Sequence, residues 1–342
     1  MRRFLFFDWL RVLATIAVVT IHISAIFITA NYYDGKSSWL TANFFESFTR
    51  WCVPIFVMIS GALILSDKRE YTYKSFLKKR ISKIFIPLLG WSILYFGFYF
   101  VQGRVELNPI LFIQRFLNNG ISVHFWFIYM LLGLTLVSPL IKLMLKNATQ
   151  KDLTYFLVLW FYASVISRVL EHLVDITFNM ELFFVTDYVG YYILGYYLFT
   201  YELPLALRRF LYVGLVVGLL FTFFLTFITT AEANGSFQSF WYGYHSPNVV
   251  LASIGLFVLF KNSHYINSKK LPSIPHFINT TSFGIYLVHM MVLKFIADYF
   301  PGLWLDTHSA IAIPYRVFIT VLISALIVLA MKKVPVLKSL VP

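Results

Sequence analysis

The chain has 342 residues, of which 59% are hydrophobic, 20% aromatic and only 13% charged, a mixture far from that of a water-soluble globular domain. The composition excludes an ordinary soluble enzyme and indicates an all-α integral membrane protein. The formal net charge of +13 raises nucleic acid as a partner, but the basic residues are interleaved with long apolar runs, a pattern better explained by orientation in a bilayer. Membrane lipid, and no nucleic acid, is the expected surrounding.

At the N-terminus, MRRFLFFDWLRVLATIAVVTIHISA places two arginines before an apolar run, as a secretory signal does. Asp8 and Arg11 interrupt that run and no small-x-small cleavage site follows, so the segment reads as a retained first helix. Apolar windows of about 20 residues, the length that crosses a hydrocarbon core, predict ten spans. They fall at 5–29, 47–66, 84–102, 122–141, 153–170, 184–200, 210–230, 241–260, 277–297 and 313–331.

Even parity puts both termini on one side. With the N-terminus cytoplasmic, the inside segments carry 20 of the 28 lysines and arginines, among them Arg2, Arg3, the run from Lys74 to Lys83, Lys269 and Lys270. The outside loops hold only Lys36, Arg104 and Arg115, as the positive-inside rule expects. Arg11, Arg50, Arg168, Lys294 and Arg316 lie in or beside spans. No stretch is long enough for a separate soluble domain, so residues 1–342 read as one transmembrane domain. Pro54, Pro87, Pro139 and Pro247 fall in or at the ends of spans, where freed carbonyls need partners from neighbouring helices or a wet cavity. Cys52, the single cysteine, reads as packing.

In the first span, eleven steps of about 100° bring Arg11 and His22 to within roughly 20° of the same helix face. They stand roughly 16 Å apart along the axis at about 1.5 Å per residue, Arg11 near the cytoplasmic headgroups and His22 around or beyond the midplane. Asp8, three residues before Arg11, can orient the guanidinium. An arginine held at this depth points to an ionic ligand, and a histidine on the same polar stripe to proton transfer.

PIFVMISG, residues 54–61, offers Ser60 and Gly61 for close helix approach, for which a packing notch is the better reading. KKRISKIFIP, residues 78–87, puts Lys79, Arg80 and Lys83 within about one turn, suited to phosphates and equally to lipid headgroups. HFWFIYMLLG, residues 124–133, opens the fourth span with His124, Trp126 and Tyr129, which suit an aromatic belt or a sugar platform. SFGIYLVH, residues 282–289, sets Ser282, Tyr286 and His289 on one face of the ninth helix as a polar seam. The remaining histidines lack metal-ligand spacing, so no metal is expected.

In their order along the chain these motifs resemble the acyltransferase 3 family of multi-spanning bacterial enzymes. The resemblance rests on Arg11-x10-His22, Pro54-Ile55-Phe56 through Ser60-Gly61, Arg80 through Pro87, and His124-Phe125-Trp126-Phe127. It continues through Gly190-Tyr191-Tyr192 with Gly195-Tyr196-Tyr197, and Ser282 through Leu287 with His289. Length is similar to the membrane-only branch, which includes the enterobacterial common antigen O-acetyltransferase. Two positions depart from the family pattern. Val57 stands where a second phenylalanine is usual, and Lys83 where an arginine is frequent; lysine offers no bidentate fork.

The resemblance implies an O-acyltransferase of the bacterial cytoplasmic membrane that moves an acetyl group from cytoplasmic acetyl-CoA to a hydroxyl of a cell-surface glycan or lipid-linked saccharide. Acyl-CoA phosphates would meet Arg11, Lys79, Arg80 and Lys83. His22 would act as general base or as transient acyl acceptor, with Arg11 and Asp8 beside it. Ser60, His124, Trp126, Ser282, Tyr286 and His289 would bind or support substrate, and other surface-polysaccharide biosynthesis proteins are candidate partners. A polysaccharide exporter of the intercellular adhesin type is the second reading, and a lipid-embedded scaffold the third.

Overall fold

The computed structural model describes residues 4–29, 32, 35–69, 72–177, 182–268 and 271–342. Of the described residues, 81% are helical and none lies in a strand, as a bilayer demands when no water is present to satisfy open backbone groups. The helices in chain order are α1 (Leu5–Ile28), α2 (Lys36–Ser47), α3 (Cys52–Leu65), α4 (Tyr73–Val101), α5 (Pro109–Leu117), α6 (Trp126–Leu145), α7 (Gln150–Phe161) and α8 (Ser167–Val174). They continue with α9 (Tyr188–Thr200), α10 (Leu205–Glu232), α11 (Pro247–Asn262), α12 (His264–Ser268), α13 (Ser273–Tyr299), α14 (Pro301–Trp304) and α15 (Ser309–Lys333).

Among the described residues, nine stretches are long and apolar enough to cross a membrane, each overlapping one of the expected spans. The remaining expected span, 184–200, contains only α9, 13 residues long. At about 1.5 Å per residue that is roughly 20 Å, short of a hydrocarbon core of roughly 30 Å. Thr186 and Asp187 end the preceding 3-10 turn, Phe183–Val185, and shorten the run that hydropathy alone would count. Lys36, expected in an outer loop, instead opens α2, and the stretch Lys36–Leu65 is bent by the turn at 48–51. Arg2, Arg3, Lys269 and Lys270, used in the charge argument, lie outside the described residues.

α4 begins well before the span expected at 84–102. Thr72 caps it by accepting the N–H of Ser75 at 3.3 Å, satisfying one of the open donors of a helix start. Its 29 residues rise roughly 43 Å, so the basic first turns continue the membrane helix as one rod.

The described residues of 1–67, 143–279 and 305–318 form one compact unit, and those of 68–142, 280–304 and 319–342 another. In the first unit, α3 and α9 cross at two glycines. A Cβ on Gly61 would lie 1.8 Å from the Tyr192 carbonyl oxygen, and one on Gly195 2.0 Å from that of Met58. The PIFVMISG and GYYILGYY motifs are therefore two halves of one close crossing, the packing notch read from Ser60 and Gly61. Cys52, the first residue of α3, is buried as a free thiol.

In the second unit, α4 is clamped to the C-terminus by Trp91, whose Nε1 donates to the Leu340 carbonyl at 3.0 Å. α4 also meets α13 through Tyr95. That hydroxyl donates to the Leu287 carbonyl at 3.0 Å and accepts the Met291 N–H at 2.9 Å, the two groups that face each other across one turn of the helix ladder.

Candidate functional site

α1 contains neither proline nor glycine, so its backbone ladder runs unbroken and the eleven-residue spacing keeps Arg11 and His22 on one face. Asp8 lies in the first turn, where a negative charge suits the helix dipole. Its carboxylate is 3.5 Å from Arg11 Nη1, with 7% of the Asp8 side chain and 31% of the Arg11 side chain exposed. Thr15, one turn further, donates to the Arg11 carbonyl at 2.7 Å. His22 is half-buried, while Thr20, Ile21, Ile23 and Ser24 around it are buried.

Two residues past His22, the Ser24 hydroxyl donates to a carboxylate oxygen of Glu46. The other oxygen of Glu46 accepts from Arg50 Nη1 at 2.8 Å, and Arg50 Nε donates to the Tyr242 carbonyl at 2.8 Å. The guanidinium also lies over the rings of Tyr242 and Tyr244, 5.2 and 4.7 Å from their centroids, and the Tyr242 hydroxyl donates to Asn43. Sequence reasoning missed this buried network. Its signal was there: opposite charges four residues apart within one apolar stretch, which the membrane tolerates only when paired.

In the second unit, a 3-10 turn, Val123–Phe125, turns the buried His124 inward. Its Nε2 lies 3.4 Å from the Leu287 carbonyl and its Nδ1 3.0 Å from Ser122 Oγ. A carbonyl only accepts, so Nε2 carries the proton and Nδ1 accepts from the serine. The Tyr286 hydroxyl donates to the His124 carbonyl. His289 Nδ1 lies 2.7 Å from the Tyr286 carbonyl, which assigns its proton to Nδ1 by the same logic. The two imidazoles stand 5.0 Å apart, centroid to centroid. Next to them, Lys294 Nζ donates to the Tyr99 hydroxyl at 2.8 Å. Tyr95, Tyr99 and Lys294 escaped sequence reasoning because their pairing spans α4 and α13.

The other expected residues are placed individually. Lys79 and Lys83 are exposed on α4, and Arg80 is half-buried with its guanidinium 6.0 Å from the Phe76 ring centroid. Ser60 returns its hydroxyl to the Phe56 carbonyl at 2.8 Å. Trp126 starts α6 half-buried against Phe127, and Ser282 is half-buried one turn before Tyr286 on α13. The seam read from SFGIYLVH thus meets His124 through two of its three members, Tyr286 and His289. Among the described residues, no three of His, Cys, Asp and Glu are grouped to hold a metal ion.

Compared with protein-family models, residues 4–332 match one described as an acyltransferase domain, of the acyltransferase 3 type. Comparison with curated proteins and with solved structures finds no match to the chain.

Proposed function

Since the chain belongs to the acyltransferase 3 family and is a membrane acyltransferase of that general kind, we propose that it transfers an acetyl group from acetyl-CoA to a hydroxyl of a surface glycan or lipid-linked saccharide. The observation that carries the proposal is α1, an unbroken apolar helix with an ion-paired arginine and a half-buried histidine on one face. Placing these groups in a bilayer costs a few kcal/mol on insertion scales, a cost that selection retains where chemistry needs them. In this reading both termini are cytoplasmic, α9 with its preceding 3-10 turn completes a tenth crossing, and the membrane is the bacterial cytoplasmic one.

On charge grounds the phosphates of the donor belong to Arg11, Lys79, Arg80 and Lys83. His22, as a neutral imidazole, takes the proton of the acceptor hydroxyl while its oxygen attacks the thioester carbonyl. The C–S bond then breaks and the CoA thiolate recovers the proton from the imidazolium. In the two-step variant His22 first displaces CoA itself, and the acyl-histidine passes its acyl group to the hydroxyl. Both routes end in one new ester and one free CoA thiol.

Membranes containing the protein, given acetyl-CoA labelled in the acetyl group and a native saccharide extract, should release CoA thiol and gain an equal amount of alkali-labile acetyl. Saccharide movement across the membrane without label incorporation would identify an exporter instead.

A further inference from the structure

α7 and α8 are joined by a π-helical turn, Tyr162–Ile166, a form that is rare and concentrates at functional sites. Around it three side chains converge on Asp187. Ser164 Oγ accepts the Asp187 N–H at 2.9 Å, Trp160 Nε1 donates to the Asp187 carbonyl at 2.8 Å, and Arg168 Nη2 donates to its carboxylate at 2.5 Å. They hold Asp187 at φ +57°, ψ −138°, a backbone region that is strained for a non-glycine residue and persists where surroundings enforce it. The result is a guanidinium tethered to a held carboxylate at the surface.

That guanidinium presents Nη1 3.3 Å from Nδ1 of His245. Arginine only donates, so Nδ1 is the acceptor and the imidazole proton sits on Nε2. His245 is 4% exposed, and its Nε2 has no hydrogen-bond partner. A buried donor left unsatisfied is uncommon in native proteins. Beside it is a cavity of about 260 Å³ lined by Arg168, Ser239, Phe240, Gly243, His245 and Ser246. Phe240 is held rigid by His172, whose ring stacks on it with centroids 3.6 Å apart and planes 11° from parallel.

We propose that this cavity binds one neutral, hydroxyl-rich ring of a saccharide. Its wall offers N–H donors from Arg168 and hydroxyls from Ser239 and Ser246 to the hydroxyls of a sugar, and the Phe240 ring to the apolar side of one. The charge of Arg168 is already matched by Asp187, which favours a neutral ring over an anionic one. The volume lies below the roughly 300–1,000 Å³ of sites for drug-sized ligands and suits a single ring. The site deepens, and rests on, the glycan-acceptor reading above: on that orientation the loops carrying it face away from the cytoplasm, where a surface saccharide arrives. None of the residues assigned to acyl transfer lines it.

Saturation-transfer NMR on the purified full chain in detergent tests the site, with methyl glucoside, methyl glucuronide and glucose 6-phosphate as probes. Methyl glucoside should bind, with the two anionic sugars no tighter. Ser239→Trp, which fills the cavity mouth from an exposed position, and Phe240→Ala should each weaken glucoside binding by about tenfold or more while keeping the wild-type unfolding temperature. His22→Ala should bind it unchanged. No binding of methyl glucoside, equal binding by wild type and both variants, or tighter binding of an anionic sugar would each overturn the proposal. Intact glucoside binding in a protein that transfers no acetyl group would sink the transferase reading and leave the binding site standing. Acetyl transfer without glucoside binding would do the reverse.

Discussion

Arg50 Nη1 stands 2.8 Å from Glu46 Oε1 with only 16% and 4% of the two side chains exposed. Removing two charges from water costs several kcal/mol per ion, and their attraction offsets this only while both are present and otherwise hydrogen-bonded. Ser24 and the Tyr242 carbonyl supply those further bonds. Glu46→Leu or Arg50→Met alone should therefore lower stability by about 3–5 kcal/mol. The double variant should lose much less than the sum. Thermal unfolding of the four proteins in one detergent provides the cycle, and additive losses would contradict an ion pair that matters.

The α3–α9 crossing makes a different demand, one of volume. A methyl group at Gly61 or Gly195 meets a backbone carbonyl, not a flexible side chain, so the helices must separate to admit it. Gly195→Ala should cost about 1–3 kcal/mol, the usual range for overpacking, and Gly195→Val more. By contrast, alanine at Gly133, where nothing lies within 4 Å, should be neutral or mildly stabilising. A melting series that ranks the three substitutions otherwise would refute the tight crossing.

Tyr95 separates hydrogen bonding from packing. Its ring is fully buried and its hydroxyl bridges Leu287 and Met291. Tyr95→Phe should cost about 0.5–1.5 kcal/mol, because the α13 ladder can close on itself once the hydroxyl is gone. Tyr95→Ala should cost about 3–5 kcal/mol through the cavity left behind. Chemical denaturation in mixed micelles reads both, and equal losses would remove the distinction.

The basic turns of α4 predict a binding effect and not a chemical one. Arg80→Ala should raise the KM for acetyl-CoA about tenfold with kcat nearly unchanged, the pattern of lost uniform binding. Lys83→Arg should lower KM, since guanidinium grips phosphate bidentately where ammonium does not. Both differences should shrink as ionic strength rises, because Lys83 is exposed and Arg80 only half-buried. Steady-state kinetics at two salt concentrations checks this, and an effect confined to kcat would assign these residues elsewhere.

Much of this was legible in the residues themselves. α1 was readable because one uninterrupted apolar run carries its polar groups at helical spacing, and the spacing survives in an unbroken helix. The Gly61 notch was readable as a notch; that Gly195 is its partner was not, because nothing local ties α3 to α9. α2 was hidden since Lys36, Ser37, Ser38 and Asn43 mimic a loop, and with it went the buried Glu46. His124 and Tyr286 each stood out, while the bond joining them depends on how α13 packs beside the 3-10 turn at Val123–Phe125. Asp187 falls inside the span expected at 184–200 and nothing in the sequence singled it out, for its strain appears only once three neighbours close around it.

The most direct test is the rate of acetyl transfer by His22→Ala measured beside wild type and Arg11→Ala, in membranes matched for protein content and with acetyl-CoA well above its KM. If His22 handles the proton or the acyl group, the alanine variant should be slower by about two to four orders of magnitude while its unfolding temperature stays near that of wild type. Transfer at the wild-type rate by His22→Ala would contradict the account, and the chemistry would have to be sought in another part of the chain.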